Sequence, residues 1–303
     1  MAFVSQPETV DSTAINVSAF GISDVGRVRK NNEDNFVIFN LSTGQGCEPA
    51  SLCQHTLGPL GALFLVADGM GGEASGEVAS SIVAENVPRH LHEGLKSLET
   101  VTARGLAAQL RAAVEYANSL IFQQARVDRT LRGMGTTTTA AALFGPYLFV
   151  AQVGDSRAYL NRLGTMVQLT RDQTFLNYLA DIGAELPEDL ENDSRKSILT
   201  QAVGTSENVD AKMTYARVMD GDRILLCSDG LYNMVKSPGL LNVVNDSHDL
   251  SGKCHELVRL ARDSGGTDNI TAVMAEIHGP GLGSPDSAEP VDLKPYREED
   301  FAD

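Results

Sequence analysis

The sequence predicts a mixed α and β protein whose strands are buried under helices. Three observations carry this. Residues 62–67 (ALFLVA) form an unbroken apolar run, which suits a strand buried on both faces. Two long segments, 75–95 and 101–126, carry apolar residues at helical spacing. Further apolar runs at 147–153, 223–227 and 270–277 read as strands, and each has an aspartate and a glycine close to one end.

The bulk numbers narrow the class. With 303 residues, the chain is long enough for one large domain or two modest ones, and a hydrophobic content of 42% permits a substantial core. A net charge of −16 argues against nucleic acid and acidic membrane surfaces as partners. The four cysteines (Cys47, Cys53, Cys227, Cys254) show no C-x-x-C spacing, so the expectation is a reducing cytoplasm. The first 16 residues lack the basic-then-apolar order of a signal peptide, and no apolar run reaches the length of a membrane span.

Taken in order, residues 1–14 read as a flexible leader and 15–23 as a strand. A dense polar run, Arg27 to Asn35, brings Arg29, Glu33 and Asp34 to the start of a strand at 36–39. Such runs are more often solvated loops, but arginine beside carboxylates also suits phosphate, because its planar fork donates two parallel hydrogen bonds. Residues 40–60 read as a loop, and a zinc site built on Cys47, Cys53 and His55 lacks a fourth ligand. Asp68 and Gly69 end the central run. An unpaired buried carboxylate is costly, so Asp68 reads either as a metal ligand or as part of an Asp-Gly turn.

The helix at 75–95 is predicted to kink or break at Pro88. Strands follow at 136–143, 147–153 and 158–160, with the threonine run 136–139 filling a pleated surface. A hairpin turn at 163–165 returns through 166–169, and Thr170 is placed at the cap of a helix reaching about residue 182. The acidic segment 185–197 reads as mobile, 198–204 rejoins the core, and 211–218 and 223–227 are strands. A helix at 250–261 precedes the last strand, 270–277. Residues 279–303 carry a net charge of −5 with several Pro, Gly and Ser, and are predicted to be a disordered acidic tail.

Asp68, Asp155, Asp229 and Asp268 thus come from separate strand ends, with Glu33 and Asp34 beside another. Carboxylates without histidine or cysteine partners select hard divalent cations, magnesium or manganese. Two such ions activate a bridging water for in-line attack on phosphorus.

The same residues carry a family resemblance. RKNNEDN (29–35), VADGMGG (66–72), GTT (135–137), GDSR (154–157), LTRD (169–172), LTQAVG (199–204), SDGL (228–231) and GTDNIT (266–271) stand in one order. Together they resemble the metal-dependent type 2C serine/threonine protein phosphatases, in their bacterial single-domain branch. The resemblance covers residues 15–278 and implies a four-layer α-β-β-α sandwich, two antiparallel sheets flanked by helix pairs, with a flap at about 171–197. It implies that Asp68 bridges two metals, that the Gly69 carbonyl binds one of them, and that Asp229 and Asp268 hold the other. It implies metal-bound waters on Glu33 and Asp34, a supporting role for Asn269, phosphate binding by Arg29, and a third, weaker metal at Asp155. Three departures stand out: Met70 where animal members carry a histidine proposed as general acid, Gln173 for a histidine, and Asn233 for an aspartate.

The expected activity is hydrolysis of phosphoserine and phosphothreonine in proteins, opposing a cognate serine/threonine kinase system, by a monomer. The rival readings are a catalytically silent phosphoprotein-binding scaffold and a phosphatase of small phosphate esters. No Gly-rich phosphate loop followed by lysine points to nucleotides.

Overall fold

The computed structural model describes residues 15–71, 75–186, 189, 193, 195–285 and 290–301. The expected leader at 1–14, Gly72 of the glycine-rich turn, and flap positions 187, 188, 190–192 and 194 lie outside the described residues, as do 286–289 and 302–303 of the expected tail.

Two antiparallel sheets stack face to face. The first holds β1 (Asn16–Asp24), β4 (Cys53–Thr56), β9 (Arg157–Arg162), β10 (Thr165–Gln168), β12 (Arg223–Cys227) and β13 (Ile270–His278), in the order β10-β9-β12-β13-β1-β4. The second holds β2 (Asp34–Asn40), β3 (Gln45–Gly46), β5 (Ala62–Met70), β7 (Thr138–Phe144), β8 (Tyr147–Val153), β11 (Lys212–Arg217) and β14 (Lys294–Pro295), in the order β14-β11-β8-β7-β5-β2-β3. The short β6 (Gly135–Thr136) pairs with the end of β5. Helices α1 (Ser75–Lys96) and α2 (Ala103–Val127) cover the outer face of the second sheet; α5 (Ser237–Asn245) and α6 (Leu250–Asp263) cover that of the first.

This layering accounts for the unbroken run in β5. Leu63, Leu65 and Ala67 pack among α1 and α2, while Phe64 and Val66 face Ile224 and Val273 of the other sheet. Neither face meets water, so neither carries polar residues. Burying one such large apolar side chain is worth about 1.5–3 kcal/mol.

Several expectations are corrected. Helix α1 runs through Pro88 without ending, so of the expected kink or break the break does not occur. Val83, Val87 and Leu91 are fully buried on either side of it, and their packing outweighs the roughly 3 kcal/mol that an internal proline costs. Thr174, not Thr170, caps the flap helix α3 (Phe175–Asp181), its hydroxyl accepting from the Asn177 N–H. The strand expected at 136–143 is split at Thr137 into β6 and β7. The stretch 40–60 contains β3 and β4, too short to show a period, and Cys47 is bonded to Cys53. That bond takes both thiols from the zinc reading and departs from the expectation of a reducing compartment. Helix α5 and the one-turn α4 (Asp229–Tyr232) fall in a stretch without a clear apolar period.

The tail is the largest correction. Leu282 is buried between the sheets, Val291 and Leu293 pack beside it, and β14 pairs with Thr214 and Tyr215 of β11. The Phe301 ring lies 4.8 Å from Tyr215 and 5.2 Å from Phe149, and Arg104 meets Glu298 at 2.8 Å. Averaged composition hid these anchors, because a few well-placed apolar side chains offset the ordering cost of an otherwise polar segment. Phe301→Ala is expected to cost about 1–3 kcal/mol, less than a fully buried aromatic because Phe301 is half-buried. A urea midpoint equal to that of the unsubstituted protein would show that the segment is not docked.

Candidate metal centre

The centre forms where β2 and β5 pair. Asp34 and Asp68 sit directly opposite each other across that pairing. Like charges in that position repel unless a cation or a proton lies between them. The strand holds Asp68 in place regardless: its N–H donates to Thr137 Oγ1 at 2.9 Å, and its carbonyl accepts from Thr136 Oγ1 at 2.9 Å and the Thr137 N–H at 2.8 Å. Asp34 is 5% exposed, and its Oδ2 accepts from Ser228 Oγ and Thr271 Oγ1, both at 2.7 Å. Its Oδ1 is buried with no partner. A buried, unpartnered carboxylate oxygen is a position prepared for a ligand.

The other residues come from the ends of other elements and the turns between them. Asp229 is the first residue of α4, not the end of a strand, and its carboxylate lies within hydrogen-bond reach of Asp68. Gly230 lets α4 press onto β13, since a Cβ there would lie 2.0 Å from the Asn269 carbonyl oxygen. Asp268, just before β13, accepts from the Asn269 N–H at 2.9 Å and from Arg29 Nη2 at 2.7 Å. Asn269 ties the polar run down: its Oδ1 accepts from the Glu33 N–H at 2.8 Å, and its Nδ2 donates to the Val25 and Asn31 carbonyls. Gly69 donates its N–H to the Glu33 carbonyl, and a Cβ on Gly69 would fall 2.2 Å from the Gly76 carbonyl oxygen. Asp155, 8% exposed, sits in the turn between β8 and β9. Beside these groups a cavity of about 280 Å³ is lined by Asp155, Asp229 and Tyr232 on one side and by Leu176, Asn177 and Leu186 on the other.

Electrostatics give the same reading. Burial first, then its acidic neighbours, pushes Asp68 well above the usual carboxylate range. Burial likewise raises Asp34 against the pull of Thr271 and Ser228, and raises Asp229, with Asp268 adding to the shift. Asp155 is pushed up to about 7, by burial and then by Asp229 and Asp172. Glu33 is raised by burial against the pull of Arg29. Among the described residues no three acidic, histidine or cysteine side chains already close into a finished cage. An all-oxygen donor set with a free Asp34 Oδ1 fits hard divalent cations.

The family described as protein phosphatase 2C matches residues 40–262. The chain belongs to the protein phosphatase 2C family. It is 36% identical to the serine/threonine protein phosphatase PstP of Mycobacterium tuberculosis over 255 residues, 84% of this chain but only 44% of that protein. The chain therefore spans less than half the length of that relative. It is 34% identical to the serine/threonine phosphatase stp of Listeria welshimeri, over 84% of this chain and 93% of that protein. The crystal structure of the PstP catalytic domain with two manganese ions matches at a TM-score of 0.68 and 34% identity, over 87% of this chain and 99% of that one. The predicted sandwich is the one these phosphatase 2C structures share.

Within this phosphatase 2C chain, the three departures have defined surroundings. Met70 is 38% exposed and has no proton to give. Gln173 bonds Gly154 twice, accepting its N–H on Oε1 at 2.8 Å and donating its own N–H to the Gly154 carbonyl at 2.9 Å. Asn233 donates to Asp229 Oδ2 at 3.1 Å where an acid would add charge. Sequence reasoning missed Ser228 and Thr271 as partners of Asp34, although both lie inside the SDGL and GTDNIT motifs. It also took Thr136 and Thr137 for strand filling, when their hydroxyls fix Asp68.

A pH dependence follows. Asp155 titrates near 7 in the fold and near ~3.9 when unfolded. Between those values the folded state binds more protons, so this stability is present below the lower value and is lost as pH rises through the upper one. Chelator-stripped protein should therefore melt at a lower temperature at pH 8 than at pH 5, and manganese should remove that fall. A melting temperature of stripped protein that is flat or rising over that range contradicts the reading.

Proposed function

We propose that this chain hydrolyses phosphoserine and phosphothreonine in proteins. The observation that carries it is the opposed Asp34–Asp68 pair, with its unpartnered Asp34 Oδ1, amid Asp229, Asp268 and Asp155. Two divalent cations, manganese or magnesium, when bound supply water activation and offset the phosphate charge. Asp68, the Gly69 carbonyl, Asp229 and Asp268 are the groups that would hold them. Asp155 is the ligand proposed for a weaker third ion.

Asp34 Oδ1 is the acceptor that orients the attacking water and takes its proton, since Ser228 and Thr271 occupy Oδ2 and keep the carboxylate from turning. Glu33 holds a second water, and Asn269 keeps its backbone in place. Arg29 is half exposed, and one of its nitrogens is taken by Asp268. Its remaining N–H groups receive the phosphate oxygens. Met70 cannot protonate the leaving alkoxide, so a water held in the metal centre would have to supply that proton. The proposed substrates are phosphoproteins made by a cognate serine/threonine kinase system, met as a monomer in the cytoplasm. Among the described residues no helix is long and apolar enough to cross a membrane.

The test is release of phosphate from phosphoserine and phosphothreonine peptides with and without manganese, beside small phosphate esters. Manganese-dependent turnover preferring the peptides supports the proposal. No turnover supports the scaffold reading, and a preference for small esters supports the third. In the same assay, Arg29→Ala should lower kcat/KM about 10²-fold. It should not weaken manganese binding, because removing Arg29 frees Asp268. A calorimetric loss of manganese affinity in that variant would count against the phosphate role.

A further inference from the structure

We infer that Arg157 is a positioning residue of this centre: clamped by Asp172 and laid on the Tyr232 ring, it holds Asp155 and the helix that begins with Asp229 in the register that cations need. The inference rests on the phosphatase reading. Arg157 Nε donates to Asp172 Oδ1 at 3.0 Å, and Nη2 donates to Oδ2 at 2.6 Å, while Gln168 Nε2 donates to the same carboxylate at 3.0 Å. The guanidinium carbon lies 3.6 Å from the Tyr232 ring centroid, and Nη1 reaches the Tyr159 hydroxyl at 3.2 Å. Tyr232 closes the turn of α4 that Asp229 opens, and its hydroxyl donates to the Asp155 carbonyl at 3.1 Å.

One planar cation therefore braces two carboxylate-bearing segments, with its fork turned to Asp172. Asp172 also anchors the flap, since its carbonyl accepts from Asn177 Nδ2 of α3 at 2.9 Å. A bidentate, stacked arginine fixes geometry in a way that a lysine cannot.

Charge and position make opposite predictions. Removing a positive charge beside a cation site strengthens cation binding by Coulomb's law. Removing a positioning residue weakens it, by about ten- to hundredfold where outer residues orient ligands. The decisive variant is the double substitution Arg157→Met with Asp172→Asn, which leaves the net charge unchanged. The measurement is calorimetric titration of manganese into the stripped 303-residue chain. The expected result is an affinity lower by about ten- to hundredfold. Arg157→Lys should behave like the double variant. Arg157→Lys, which keeps the charge and loses the stacked fork, decides the matter if the double variant does not fold; Tyr232→Phe, which keeps the ring beneath the guanidinium and loses only the bond to Asp155, should weaken binding by a few-fold. Phe301→Ala serves as a destabilised control with an unchanged isotherm.

An equal or tighter isotherm in the double variant overturns the inference, as does an equal weakening in Phe301→Ala. If the unsubstituted chain takes up no manganese, the phosphatase reading falls and this inference falls with it.

Discussion

Asp68→Asn is expected to lower phosphatase turnover by on the order of a thousandfold or more, while the protein stays folded. The substitution is nearly isosteric. The backbone of residue 68 is held by Thr136 and Thr137, not by its own carboxylate, so β5 has no reason to shift. What changes is charge at the position facing Asp34 and within reach of Asp229. On the proposed reading, an amide at this position would offset bound cations less well than a carboxylate does. The variant also reports on stability with a distinct sign. It removes one member of a cluster whose repulsion strains the cation-free protein, so the stripped variant should melt at a higher temperature than the stripped unsubstituted chain. Manganese, which should raise the melting temperature of the unsubstituted chain, should do little to the variant. Thermal melts with and without manganese, alongside peptide turnover, check both. Retained turnover, or an unchanged manganese shift, would falsify the metal-ligand role.

Arg162→Ala should produce the largest loss of stability, about 3–5 kcal/mol. Arg162 is paired with Asp222 with side chains 4% and 0% exposed, through Nε at 2.9 Å and Nη2 at 2.7 Å. Nη2 also donates to the Arg217 carbonyl, and Asp222 accepts the Met219 N–H. Truncating the arginine strands a buried carboxylate with only a backbone donor. At roughly 2–4 °C per kcal/mol for a large domain, the melting temperature should fall by about 6–20 °C. Scanning calorimetry checks it, and a fall of under about 3 °C would mean that water reaches Asp222 in the variant. Replacing both partners with apolar residues should cost less than removing one, because no charge is then left buried.

The sequence by itself determined the elements with the strongest local signal and the family. The run 62–67 is legible because a strand covered on both faces needs no polar residue, and the stripes of α1 and α2 repeat long enough to show their period. Asp68 and Asp229 stand out because a carboxylate next to glycine just after an apolar run is locally anomalous, and Asp268 because it stands two residues before the last such run. Tertiary structure alone decided which groups meet. Ser228 and Thr271 reach Asp34 from 194 and 237 residues away, and Arg157 finds Asp172 and Tyr232 only once β9, the flap root and α4 are packed together. The tail shows the same divide. Its acidic composition reads as unfolded, yet Tyr296 and Phe301 find an aromatic bed on β8 and β11. Local patterns record what a residue needs from its immediate neighbours, whereas partners far apart in the chain are chosen by how the layers pack.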